Sequence, residues 1–341
     1  MNHIPRTVLV TGGAGFIGCN FVRYLLAQDR QVRIVTLDAL TYAGSQDQLR
    51  DLPDPARHLF VHGDICDRTR IDRLLREHRV DSVVHFAAES HVDRSISGPG
   101  AFVQTNVVGT YTLLEACRQY WQAEMKWDNA QCRFHHISTD EVYGTLELKD
   151  APFTEDTPYA PNSPYSASKA ASDHLVRAYF HTYKLPVLTT NCSNNFGPFQ
   201  HGEKFIPTVV RACREGQPIP VYGDGSNIRD WLYVEDHCKG IGLALRGGRL
   251  GEVYNIGGGN EWSNIEVVRL ICRLMDELRP EGAPHARLIS FVKDRPGHDW
   301  RYAINAEKIR QELGWTRAKD FESEMRSTLR WLLNVKLPPP A

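Results

Sequence analysis

The 341-residue sequence lacks any surplus of charge: 40 Lys and Arg stand against 41 Asp and Glu, a net charge of −1. So balanced a chain has no global field to draw nucleic acid or a membrane surface, and an anionic ligand must be met by local arginines. Also missing is any run near the roughly 18 apolar residues that cross a bilayer. No apolar h-region precedes the first strand-like run, so no signal peptide is expected. The eight cysteines, at 19, 66, 117, 132, 192, 213, 238 and 272, form no Cys-x-x-Cys pair and no zinc spacing. That pattern points to reduced thiols and a cytoplasmic protein. His135 and His136 are adjacent in a strand-like run, where neighbouring side chains face opposite ways, so no metal is expected there. Internal repeats and low-complexity tracts are absent.

What is present is ordinary for a soluble domain: 42% hydrophobic and 24% charged residues, in a length that suits one large or two modest domains. Strand-like runs at 80–87, 132–138 and 186–190 alternate with helical patterns near 67–78, 100–120 and 164–183. Such alternation predicts an α/β fold, a Rossmann-like doubly wound parallel sheet with helices on both faces. After residue 191 the pattern turns irregular, with a short run at 218–222. The expected division is a nucleotide-binding domain over 1–190, with a returning segment near 225–250, and a smaller, mixed substrate-binding lobe over 191–341. A helix at 234–245 is expected to return to the first domain. A late helix at 306–313 takes Asn305 as its N-cap and Gly314 just past its end. The stretch 121–131 reads as a lengthened surface loop, and Pro338-Pro339-Pro340 as a frayed end.

The richest local signal is Thr11-Gly12-Gly13-Ala14-Gly15-Phe16-Ile17-Gly18, directly after the apolar run Thr7-Val8-Leu9-Val10 and opening a helix to Gln28. Gly12 permits a tight turn, Gly15 admits a pyrophosphate to the backbone, and Gly18 lets helix and strand pack closely. The helix N-terminus offers free N–H groups and a positive dipole end to phosphates. A second strand, 32–37, ends in Asp38, about twenty residues past the last glycine. A carboxylate there accepts from ribose hydroxyls and repels a 2′-phosphate, which favours NAD over NADP. Asp64-Ile65, after the strand-like 59–61, suits an adenine contact.

Tyr165-Ser166-Ala167-Ser168-Lys169 opens another helix, with Ser163 as candidate N-cap and Pro164 at the first helical position. Residues four apart share a helix face, so Tyr165 and Lys169 project together. The ammonium and a nicotinamide cation would favour the phenolate, making Tyr165 a general base. Thr139, Asp140 and Glu141 follow the strand 134–138, at the carboxyl end where ligands of a doubly wound sheet sit. Two adjacent carboxyls push their pKa values apart, so one can serve as acid and the other as base.

These motifs, with His85-Phe86-Ala87-Ala88-Glu89-Ser90-His91-Val92-Asp93, resemble the extended short-chain dehydrogenases, the NAD-dependent epimerase/dehydratase group. Within that group the chain is similar to the dTDP-glucose 4,6-dehydratase family, from about residue 5 to 330. Asn191-Cys192-Ser193-Asn194-Asn195-Phe196-Gly197-Pro198 and Val221 through Trp231 strengthen the likeness. The Asp140-Glu141 pair discriminates most, because the sister epimerases typically lack both carboxylates.

The resemblance implies NAD contacts at Gly12, Gly15, Phe16, Ile17, Gly18, Asp38, Asp64, Ile65, Ala87, Ala88, Thr105, Tyr165, Lys169 and Asn195. For the nucleotide-sugar dTDP-glucose it implies Ser90, Thr139, Asn194, Lys204, Pro220, Tyr222, Arg229, Asn264, Arg295 and His298. Arg229 and Arg295 suit a diphosphate, since the guanidinium fork is bidentate. The implied catalytic set is Thr139, Asp140, Glu141, Tyr165 and Lys169. The implied cycle oxidises C4, eliminates water across C5 and C6, returns hydride to C6, and leaves a 4-keto-6-deoxy sugar with NAD regenerated. A UDP- or CDP-glucose dehydratase, or a 4-epimerase or decarboxylase on the same scaffold, is the alternative. By analogy the helices at 100–120 and 164–183 would pair with a partner's copies as a four-helix bundle, giving a homodimer.

Overall fold

The computed structural model describes residues 2–294 and 298–335. Arg295 and the Pro338-Pro339-Pro340 end lie outside the described residues.

Twelve strands order the described residues: β1 (Thr7–Thr11), β2 (Arg33–Asp38), β3 (His58–His62), β4 (Ser82–His85), β5 (Arg133–Thr139), β6 (Val187–Cys192), β7 (Asn194–Phe196), β8 (Ile219–Tyr222), β9 (Ile228–Tyr233), β10 (Val253–Ile256), β11 (Glu261–Ser263) and β12 (Ile289–Val292). Seven build one parallel sheet in the order β3-β2-β1-β4-β5-β6-β10. Its central strands β4, β5 and β6 are buried along their whole length because helices cover both faces. Side chains alternate accordingly. Val8 and Val10 enter a core beneath the helices Phe16–Gln28 and Val234–Gly247, while Leu9 enters the opposite core beneath Arg68–Glu77, Thr110–Cys117 and Pro164–Tyr183. Each fully buried Leu, Ile or Phe in these layers contributes about 2 kcal/mol.

The sheet's chain order reverses between β1 and β4, and the crevice above that switch point is where a doubly wound sheet binds ligands. After β6 the chain leaves the sheet and re-enters its layers twice, as the helix Val234–Gly247 and as β10. The remainder forms a lobe with two small sheets, β11-β9-β7 and β12-β8. The amphipathic helices Phe205–Glu215, Asn264–Leu278 and Phe321–Asn334 close around its core.

Two local expectations need correction. The stretch 121–131 is not simply a surface loop. The helix that starts at Pro99 runs on to Glu124, and Trp121 is fully buried, its Nε1 donating to the Val80 carbonyl at 2.8 Å. An indole there fills the layer between helix and sheet, which the neighbouring polar residues disguise. The late helix begins at Glu307, with Ala306 in the cap position. Asn305 instead accepts from the Glu307 N–H at 2.8 Å, a side-chain turn two residues long that starts the helix one residue late. Gly314 closes it in the left-handed conformation, as expected.

Candidate active site

The glycine turn is dictated by contact. Gly12 has φ +69°, and a Cβ on it would fall 2.6 Å from the Ala87 nitrogen on the neighbouring β4 connection. A Cβ on Gly18 would fall 2.2 Å from the Gly12 carbonyl oxygen. Only glycine lets the helix N-terminus approach the strand so closely. Gly15 caps that helix with no side-chain hydrogen bond, leaving the first-turn N–H groups directed at the crevice. Beside them, at the end of β2, Asp38 is buried and accepts from the Ala14 N–H at 2.9 Å and the Leu40 N–H at 2.8 Å. Burial pushes its carboxyl up, against those two donors.

The crevice is a cavity of about 380 Å³ that runs from the glycine turn to the carboxyl ends of β5 and β6. Gly12, Gly15, Phe16, Ile17, Gly18, Asp38, Asp64, Ile65, Ala87, Ala88, Thr105 and Asn195 all line it, and so do Thr139, Asp140, Glu141, Tyr165 and Lys169. The five candidate catalytic residues therefore share one wall. The helix that carries two of them starts as the sequence predicts: Ser163 and Ser166 form a reciprocal capping box, and Pro164 occupies the first position.

Electrostatics separate the roles of these groups. Asp140 is 1% exposed, and its carboxyl is held far above the usual range, first by burial and then by the adjoining Glu141 and by Asp230. Its Oδ1 accepts from the Thr139 hydroxyl at 3.4 Å, while Oδ2 is buried with no partner among the described residues. A neutral acid with an unsatisfied oxygen faces the cavity. Lys169 Nζ donates to the Ile137 carbonyl at 2.9 Å.

Lys169 by itself does not favour a phenolate at Tyr165. The Tyr165 pKa is raised well above the ordinary value, by burial first and then by Glu141, with a smaller opposing effect from the Thr139 hydroxyl. Lys169 is not among the foremost groups that act on it. In the chain by itself the phenol is neutral, since burial and a nearby carboxylate both penalise a second negative charge.

The expected substrate residues divide. Ser90, Thr139, Asn194 and Lys204 line the same cavity, with Lys204 Nζ reaching the Ser90 carbonyl at 3.4 Å. Pro220 and Tyr222 lie exposed on β8, outside the cavity lining, and Asn264 is half-buried at the start of the helix behind β11. The Tyr222 ring meets the His298 ring edge-on with centroids 6.3 Å apart. Arg229 is buried, at 6% exposure, and not displayed as an open fork. Its Nη1 donates to the Ile228 carbonyl at 2.7 Å and its Nη2 to the Asp299 carbonyl at 2.9 Å, and the guanidinium lies over the Tyr302 ring at 4.3 Å. From there its charge acts on Asp140. Arg295 cannot be placed, being outside the described residues.

Several wall residues were not singled out from the sequence. Ser193, Gln200 and Trp231 line the cavity, and Gln200 Oε1 and Trp231 Nε1 are buried without partners among the described residues. Tyr302 carries Arg229. Ser193 and Trp231 fall inside the two runs, 191–198 and 221–231, that resemble the family, which is the signal that could have found them. Nothing local marks Gln200 or Tyr302, because both are brought in by long-range packing.

The family model described as GDP-mannose 4,6 dehydratase matches residues 9–328, nearly the whole chain. The chain belongs to this family. Among its relatives, a protein of Xanthomonas campestris pv. campestris strain B100 named dTDP-glucose 4,6-dehydratase is 60% identical over 329 residues, covering 96% of this chain and 93% of the relative. The crystal structure of DesIV, a dTDP-glucose 4,6-dehydratase from Streptomyces venezuelae with NAD and TYD bound, superposes with a TM-score of 0.85 at 47% identity, covering 95% of this chain and 96% of that one. The Thermus thermophilus UDP-glucose 4-epimerase in complex with NAD is equally close in shape, with a TM-score of 0.84, at 29% identity over 97% of this chain and 100% of that one. Members of the dehydratase family thus share their backbone with an epimerase, and side chains must decide the chemistry.

Proposed function

We propose that the protein is an NAD-dependent dTDP-glucose 4,6-dehydratase, a lyase that yields dTDP-4-keto-6-deoxyglucose and water. The observation that carries this reading is the Asp140–Glu141 pair on one cavity wall with Tyr165, with Asp140 buried, its carboxyl pushed up by burial and by Glu141, and one of its oxygens unsatisfied among the described residues. An epimerase has no need of either acid.

A dinucleotide suits the residues present, since Gly12 and Gly18 let the helix N-terminus pack tightly against the strand backbone, Gly12, Gly15 and Gly18 line the cavity there, and the first-turn N–H groups have no side-chain cap. Gly12, Gly15, Phe16, Ile17 and Gly18 would hold the pyrophosphate, Asp38 the adenosine ribose, and Asp64 and Ile65 the adenine. Ala87, Ala88, Thr105 and Asn195 would border the rest of the cofactor. When bound, NAD supplies reversible two-electron oxidation and a positively charged ring.

In this reading Tyr165 takes the proton of the sugar O4 hydroxyl, with the Thr139 hydroxyl holding that oxygen. A cation beside the phenol is needed to offset the burial and the Glu141 charge that keep it neutral. The 4-ketone acidifies the C5 hydrogen, which Glu141 removes. Asp140 gives its proton to the departing C6 oxygen, so that water leaves. General acid–base steps of this kind contribute about 10²–10⁴-fold each. Ser90, Asn194 and Lys204 would bind the sugar end, and Pro220, Tyr222, Asn264 and His298, together with Arg229 and Arg295, the nucleotide end.

We assign the protein to the cytoplasm and to a homodimer joined through the helices near 100–120 and 164–183. Support for the dimer is the exposure of Val103 (53%), Tyr111 (49%) and Tyr183 (46%) on those helices.

The deciding experiment incubates purified protein with dTDP-glucose and NAD and weighs the product by mass spectrometry. Loss of water supports the assignment. An unchanged mass points to an epimerase, and loss of carbon dioxide from a uronic acid substrate to a decarboxylase. Parallel turnover of UDP-glucose and CDP-glucose tests the base.

A further inference from the structure

Asp173 lies two helical turns beyond Tyr165 and one beyond Lys169, so the three side chains share one face of the helix Pro164–Tyr183. Asp173 is buried and plays no part in the chemistry described so far. Three donors from two other elements converge on it. His136 Nε2 donates to Oδ1 at 3.0 Å, the Ser138 hydroxyl to Oδ2 at 2.8 Å, and the Tyr159 hydroxyl to Oδ2 at 3.0 Å. His136 and Ser138 belong to β5, the strand that also presents the Ile137 carbonyl to Lys169 and ends at Thr139.

We infer that Asp173 is a positioning residue that keeps the buried Lys169 side chain protonated and anchored on the Ile137 carbonyl, one turn behind Tyr165. This rests on the assignment of Tyr165 and Lys169 above.

The physical need is plain. A fully buried ammonium with a carbonyl acceptor tends to lose its proton unless an opposite charge lies near. Burial lowers the Lys169 pKa, and Asp173 is the foremost group opposing it, followed by Cys192. Burial in turn raises the Asp173 carboxyl to about 6, while Lys169, Ser138, Tyr159 and His174 act to lower it. The other titratable groups near this pair are His85 on β4, His136 on β5 and Tyr143 after it. Both histidines are held neutral by burial, and Tyr143 is held protonated. Asp173 is thus the one anion among these facing groups.

The test follows the Lys169 ammonium directly, by NMR titration of lysine-labelled full-length protein with NAD added, alongside kcat/KM against pH with dTDP-glucose. Asp173→Asn should move the Lys169 midpoint down by at least about one pH unit and draw the alkaline limb of kcat/KM down with it. Asp173→Glu should restore much of both. Asp173→Ser, smaller and neutral, serves as the second variant should Asn fail to fold. A folded neutral variant whose Lys169 midpoint is unmoved overturns the inference, as does an activity loss equal at every pH. Absence of any product from the wild-type protein would overturn the proposed reaction and leave the NMR readout to judge Asp173 by itself.

Discussion

The Thr139 hydroxyl donates to Asp140 Oδ1 at 3.4 Å, and the second oxygen of the same buried carboxyl has no partner among the described residues. The carboxyl of this cavity-lining residue is thereby held by one oxygen, and burial pushes its pKa up. The neighbouring Glu141, half-buried on the same short turn, adds the repulsion that helps keep Asp140 neutral.

Asp140→Asn and Glu141→Gln should therefore differ in what they lose. Asp140→Asn removes the proton for the leaving hydroxyl and should lower kcat about 10²-fold or more, with NAD affinity little changed. Glu141→Gln should also abolish exchange of the C5 hydrogen with deuterated solvent. Steady-state rates and mass spectrometry of product recovered from deuterium oxide check both. Near wild-type product formation by Glu141→Gln would remove Glu141 from its role.

Gly12→Ala asks for a Cβ 2.6 Å from a backbone nitrogen at φ +69°. Strain there should destabilise the fold by more than about 1 kcal/mol and weaken NAD binding together with it. Thermal unfolding with and without NAD, plus calorimetric titration of the cofactor, gives the two numbers. A variant as stable and as tightly binding as the parent would contradict the turn geometry.

Glu324, buried on the C-terminal helix Phe321–Asn334, should make the fold less stable as pH rises. Burial and the adjoining Asp236 push its carboxyl above the ordinary 4.5. In the unfolded chain the group ionises once pH passes that ordinary value, while in the folded chain it keeps its proton to higher pH. Unfolding then releases a proton, and stability falls with rising pH across that window. Glu324→Gln removes the loss, so its melting temperature should exceed that of the parent near pH 8 and match it more closely near pH 5. The opposite ordering would show that Glu324 is ionised in the fold.

Trp121→Ala should cost about 3–5 kcal/mol, as expected for deleting a fully buried indole. Chemical denaturation measures it. A loss under about 1 kcal/mol would return this segment to the surface role its polar neighbours suggest.

Local rules account for much of this protein. The glycine turn is legible because a strand, a helix and the close approach of Gly18 to the Gly12 carbonyl are all written within residues 7–28, although Gly12 is also hemmed in by Ala87 of the neighbouring strand connection. Ser163, Pro164, Tyr165 and Lys169 are legible because capping and the four-residue helical repeat act over one or two turns. Asp140 and Glu141 are legible because they directly follow a strand whose carboxyl end faces the ligand crevice. Other features were hidden because they depend on residues far apart in the chain. Arg229 becomes a buried, backbone-bound cation only when residues 299–302 pack over it. Trp121 becomes core only when the Val80 carbonyl meets its ring nitrogen.

The sequence by itself determined most of the elements, the nucleotide turn and which candidate groups share the crevice wall, since these follow from backbone sterics and short-range spacing. Only the tertiary structure decided their protonation: Tyr165 and Asp140 both held neutral, and Asp173 set behind Lys169. Desolvation and charge–charge interactions depend on what surrounds a group in space, and those surroundings are assembled from strands and helices distant in the chain.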